Sequence, residues 1–157
     1  MNNELKQDFT RRLSQCNQGG MIVIVYDIFF AYMDDAKNAW EKNDRESFKT
    51  AIRNVQRTLD ELMQALDLSY EIARTLHPLY AYCKELLAKT LYENRLDRFE
   101  EAESIMRKLY SSFVKVAELD HSEPIMSNTQ QVYAGMTYGR GSLNENLIND
   151  SNRGFFV

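Results

Sequence analysis

The stretch from Met21 to Trp40 constrains the rest of this chain most. Twelve of the thirteen residues from Met21 to Met33 are apolar or aromatic, and only Asp27 interrupts them. The β-branched run Ile22 to Val25 suits a buried strand, but a stretch this long without Gly or Pro predicts a helix. At about 100° per residue, Asp27, Asp34 and Asn38 share one narrow polar stripe, and apolar side chains take most of the remaining circumference. Such a helix needs cover on more than one side. It is central to a helical bundle, or it shows a second apolar face to a partner.

The flanking sequence supplies the cover. Leu5, Phe9, Leu13 and Cys16 predict a short helix over residues 4–16 with one thin apolar edge, and Asn17-Gln18-Gly19-Gly20 predicts a break. The central helix is then expected from about Met21 to Lys42. Asp44 is placed to cap a third helix, whose apolar face runs from Phe48 through Ile52, Val55 and Leu59 to Leu66. Asp67 or Ser69 can cap a fourth, carrying Ile72, Leu76, Tyr80, Cys83 and Leu87. Pro78 lies inside that pattern, and the unbroken periodicity favours a kink over a fresh start. Asp97, with Glu100 three residues on, reads as the cap of a fifth helix reaching Ala117. Five helices on short connections predict an all-α, antiparallel up-and-down bundle of four or five helices over residues 1–119.

Residues 120–157 differ in character. They hold four of the six glycines, with Pro124 and many Asn, Ser and Thr, which predicts a flexible C-terminal tail. The apolar clusters Val132 to Tyr138 and Phe155 to Val157 suit a segment that docks on a surface, its own or a partner's.

A net charge of −4 without a Lys/Arg block argues against nucleic-acid binding. The central run is too short, and too soon interrupted by Asp27 and Asp34-Asp35, to span a bilayer. The polar N-terminus carries no apolar signal segment, so the default location is the cytoplasm. Cys16 and Cys83 form no CxxC pair and read as small core residues of a reducing compartment. Only Glu118 and His121 match the ExxH spacing of di-iron bundles, which need two such motifs. His77 is followed by Pro78-Leu79-Tyr80-Ala81, where a phosphotransfer histidine is followed by Lys and Gly. No catalytic group, metal site or cofactor is expected.

The residues that remain carry a resemblance. Val25-Tyr26-Asp27 with Ala36 and Ala39, Leu59-Asp60-Glu61-Leu62 with Leu66-Asp67, and Ile72-Ala73 with Leu76, Leu79, Tyr80 and Tyr82 are similar, in order and spacing over residues 5–118, to the flagellin-export chaperones of the FliS family. The tail from Asn128 to Gly139, with Asn152 to Phe155, resembles the extension of a clostridial-type branch. Where the family commonly has Thr-x-Ser-Pro before the central helix, this chain has Gln15-Cys16-Asn17-Gln18, in which Asn17 can still cap. Where the family has Gly after the Tyr-Asp pair, this chain has Ile28.

The resemblance implies a cytoplasmic bundle that binds the C-terminal region of flagellin, keeps it from polymerising early and helps deliver it to the flagellar type III export apparatus. It leaves room for an export-gate protein or a flagellin-regulating protein as further partners. A client that folds into amphipathic helices needs apolar grooves. With Ile24, Val25, Ile28 and Tyr32 facing the core, Val23, Tyr26 and Phe30 form the flank left over. Phe9 and Leu13 of the thin first helix cover it until a client displaces them. Tyr26 and Phe30 are the foremost client contacts, with Ile52, Val55 and Leu59 beside them. The tail is either a second partner-binding arm or a pseudo-client folded back on the groove. The competing reading is a non-catalytic bundle that oligomerises through its spare apolar face as a structural or regulatory module.

Overall fold

A computed structural model of the chain describes residues 3–126. The apolar clusters after residue 130, and with them both roles for the tail, lie outside these residues. Five helices follow one another: α1 (Asn3–Gln15), α2 (Gln18–Glu41), α3 (Arg45–Gln64), α4 (Glu71–Glu93) and α5 (Asp97–Glu118). Helices α2 to α5 pack in a ring, each against the next and α5 back against α2, while α1 lies on α2. The compact unit runs Met1–Ile125, so the first residues after α5 belong with the helices.

The ends of the helices follow local chemistry. Asp44 accepts the Ser47 N–H at 3.0 Å and caps α3. Asn43 and Asn94 take the left-handed conformation, each at φ 54°, which Asn tolerates better than most residues. Two expected caps are corrected. Neither Asp67 nor Ser69 caps α4: Asp67 spends its carboxylate on the Ser69 N–H, tightening the turn before the helix, and Tyr70 is the capping residue without a side-chain bond. In α5, Leu96 takes the cap position and Asp97 is already helical, where its charge favours the positive end of the helix dipole. Helix α4 continues through Pro78 as a single element.

The polar stripe expected on α2 is corrected too. Asp34 and Asn38 are exposed, but Asp27 is not, because it is engaged by two other helices.

Tyr26, Phe29, Phe30, Met33 and Ala36 of α2 enter one contiguous core with Ile52, Val55 and Leu59 of α3, Tyr80 and Leu87 of α4, and Phe99 and Met106 of α5. The Tyr26 and Tyr80 hydroxyls share a buried hydrogen bond of 2.8 Å. Burial, with each hydroxyl beside the other, raises the ionisation of Tyr26 far above that of an ordinary phenol. Both therefore stay neutral, and each satisfies the other's polar atom in an otherwise apolar layer.

Glu103 is the one buried carboxylate among the described residues. It bridges Lys37 of α2 at 2.7 Å and Arg107 of its own helix at 2.6 Å. Desolvation opposes its ionisation, but the hydrogen bonds and charges of Lys37 and Arg107 outweigh it and hold the carboxyl below the usual range. The resulting stabilisation is complete above the ordinary carboxylate pKa and is lost as pH falls through the depressed one. Glu103→Gln is expected to cost about 2 kcal/mol at neutral pH. Urea titrations from neutral to acid pH should show the variant losing less stability on acidification than the parent. Parallel acid limbs would contradict the assignment.

Candidate interaction surface

The shape of the candidate surface follows from how little of α1 is held. Its apolar edge is as thin as its sequence implies: Phe9 is the only buried residue of the helix. Leu13 is half-buried and Leu5 is exposed. Phe9 and Ile24 are both buried, yet both stand outside the contiguous core. Helix α1 is thus a cover laid on a finished bundle.

Beneath it runs a trough between α2 and α3. A cleft of about 440 Å³ is bounded by Phe9 and Leu13 above, Ile28 and Tyr32 on α2, and Asn54, Thr58 and Glu61 on α3. It shares Lys6, Tyr32 and Asn54 with a second cleft of about 550 Å³ towards Lys42 and Glu46, so the trough extends past the part that α1 fills. On the other side of α1, a third cleft lies between Arg12 and Cys16, Val23 and Ile24 of α2, and Val114 and Ala117 of α5.

A polar latch holds α1 at its last turn. The Arg12 guanidinium lies 2.5 Å from Asp27 Oδ2 and 5.7 Å from the centre of the Phe9 ring. Asp27 Oδ1 accepts the Tyr110 hydroxyl at 2.7 Å, which raises that phenol's ionisation. The single charge in the apolar run therefore ties α1, α2 and α5 together. Sequence reading missed this role. The isolation of Asp27 was a signal, but nothing local names partners fifteen residues before it and eighty-three after it.

The junction of α1 and α2 is built around Asn17. Its side-chain oxygen accepts the Gly20 N–H at 2.9 Å, capping α2 as expected of it. The helix, however, begins at Gln18 rather than Met21. Gly19 and Gly20 do not form the break; they lie in the first turn of α2, where Gly19 permits a close approach. A Cβ there would lie 2.8 Å from Asp120 Oδ2 and 3.2 Å from the Cα of Ala117. Asp120 accepts the Gly19 N–H at 2.8 Å. Hydrogen bonds from Ser122 and Gly19 hold its carboxyl below the usual range.

The expected contact residues fall into two groups. Phe9 and Leu13 line the underside of the cover, and Val23 lines its edge. Tyr26, Phe30, Ile52, Val55 and Leu59 are buried in the core instead. The expectation for α2 is therefore reversed at Tyr26 and Phe30, while Val23 lies on the flank. Tyr26 packs against Tyr80, Tyr110 and Phe113, and Phe30 against Phe29 and Tyr110. Of the four expected in the core, Val25 and Tyr32 pack against it half-buried while Ile24 and Ile28 stand outside it, and Ile24, Ile28 and Tyr32 line the clefts beside α1. The reason is the aromatic content of α4 and α5, which draws the larger rings of α2 towards it.

Among the described residues, no helix is long and apolar enough to cross a membrane. No curated protein matches the chain. The family model of the flagellar protein FliS matches residues 1–120, which span all five helices and end at the residue that fastens α2. The chain therefore belongs to the FliS family of flagellar export chaperones.

Proposed function

We propose that the chain receives the C-terminal region of flagellin in the trough between α2 and α3, in place of α1. One observation carries this reading: α1 buries a single side chain, apart from the core, over the apolar flank Ile24, Ile28 and Tyr32. An amphipathic client helix with apolar residues at three- and four-residue spacing can cover more of that flank than α1 does. Held there, the client's own apolar face is unavailable for polymerisation. The complex passes in the cytoplasm to the flagellar type III export apparatus, where an export-gate protein is a natural further contact. Phe9, Leu13 and Val23 act at the rim. Tyr26, Phe30, Ile52, Val55 and Leu59 act from beneath by fixing the shape of the floor. The chemistry is binding, in keeping with a family of chaperones rather than enzymes.

Ile28 and Tyr32 are half-buried, so charges there are tolerated by the fold but not by an apolar client. Ile28→Asp and Tyr32→Asp are each expected to weaken binding of a flagellin C-terminal peptide at least tenfold while circular dichroism stays helical. Calorimetric titration measures both. Unchanged affinity in the two variants would place the client elsewhere.

A second reading has its own support. Leu68, Tyr70 and Ile72 around the start of α4, and Val116 and Leu119 near the end of α5, are exposed. Antiparallel packing puts them at one end of the bundle. Exposed apolar groups gathered in this way favour self-association. Sedimentation separates the readings: a monomer forming a one-to-one complex with the peptide supports the chaperone, and a stable homo-oligomer that ignores the peptide supports a structural module.

A further inference from the structure

The residues after α5 cross the hinge about which α1 must turn. Cys16 and Asn17 are the whole connection between α1 and α2. On the α2 side of that hinge, Asp120 accepts the Asn17 side-chain N–H through its backbone carbonyl and the Gly19 N–H through its carboxylate, both at 2.8 Å. On the α1 side, the Ile125 N–H donates to the Cys16 carbonyl at 3.0 Å. The intervening residues are drawn into a turn, with the Ser122 N–H bonded to Asp120 Oδ1. Nothing apolar is required of these contacts: Ile125 is 52% exposed.

We infer that residues 120–125 form a strap across the α1–α2 hinge, so that lifting α1 and releasing this segment are one linked event. Asn17 and Gly19 stay with α2 as its cap and first turn. The Cys16 carbonyl is the last acceptor that travels with α1. Rotation at the hinge therefore separates Ile125 from Cys16 while Asp120 remains anchored. Linkage makes the effect reciprocal. Whatever displaces α1 loosens residues 121–125, and whatever grips residues 121–125 makes α1 easier to displace. The strap itself rests on hydrogen-bond geometry alone, whereas its bearing on client uptake rests on the function proposed above.

Hydrogen exchange in the full-length chain, with no client present, tests the strap independently of that function. Ile125→Pro removes the N–H that reaches Cys16. Asp120→Ala removes the carboxylate that anchors the other end. Each is expected to speed exchange of the amides from Phe9 to Gln15 about fivefold, with the amides of α3 and α4 unchanged. Asp120→Asn, which keeps an acceptor for Gly19, should recover most of the protection. Unchanged α1 exchange in both Ile125→Pro and Asp120→Ala would overturn the strap. So would an equal rise in α1, α3 and α4, because that reports general loosening rather than a hinge.

Discussion

Tyr26→Asp is expected to unfold the chain at neutral pH. The side chain is fully buried and packs against three aromatic rings from α4 and α5. Its replacement removes that packing, leaves the Tyr80 hydroxyl without its partner and buries a carboxylate in the apolar core. Cavity, stranded hydroxyl and desolvated charge together cost about 5 kcal/mol or more. Domains of this size are stable by only about 5–15 kcal/mol. Tyr26→Phe is the control. It keeps the ring, strands only the Tyr80 hydroxyl, and is expected to cost about 1–2 kcal/mol with full helicity. Far-ultraviolet circular dichroism and urea unfolding of the two variants distinguish them. A helical, cooperatively unfolding Tyr26→Asp chain would contradict the core assignment.

The other large effect concerns affinity. A chain lacking residues 1–15, but retaining Asn17 to cap α2, should bind a flagellin C-terminal peptide ten- to a hundredfold more tightly than the intact chain. On the function proposed above, α1 competes for the trough in the intact chain, and apparent affinity is scaled down by the fraction of molecules in which it is lifted. The competition has a modest ceiling. One buried phenylalanine is worth about 2–3 kcal/mol, and a half-exposed ion pair less than about 1 kcal/mol. Both are offset by the entropy of ordering a short helix. Phe9 stands outside the contiguous core, so the truncated bundle should keep its helicity. Weaker binding by a still-helical truncated chain would make α1 part of the client's seat rather than its cover.

What the sequence reveals of this molecule is its helices, and the reason is periodicity. α3 was readable because charged and apolar residues alternate on it with a clean helical period. α2 was readable as a helix but not as an oriented one. Apolar residues surround it, so its pattern offers no preferred face, and Tyr26 and Phe30, expected on the outer flank, lie in the core. The orientation is decided by Tyr80, Tyr110 and Phe113, which meet α2 only after the chain has folded. The same holds at the corners. Asn17 announced itself as a cap through its residue type. The need for Gly19 did not, because it arises from Ala117 and Asp120 about a hundred residues later. The surplus apolar surface is legible in the sequence, with Phe9 and Leu13 over it and Val23 at its edge, but Ile28 and Tyr32 beneath them are not.

The trough is longer than the helix lying in it. Past Lys6 it continues between α2 and α3 towards Lys42 and Glu46, uncovered among the described residues. On the function proposed above, an arriving helix can seat its first turn in that half while α1 is still down, then advance as α1 retreats. Exchange by such invasion has a different rate law from exchange that waits for spontaneous opening. The observed rate climbs in proportion to client concentration instead of levelling off at the opening rate of α1. On that reading the further half of the trough is a foothold, from which a client starts to displace the thinly held α1 before α1 has lifted.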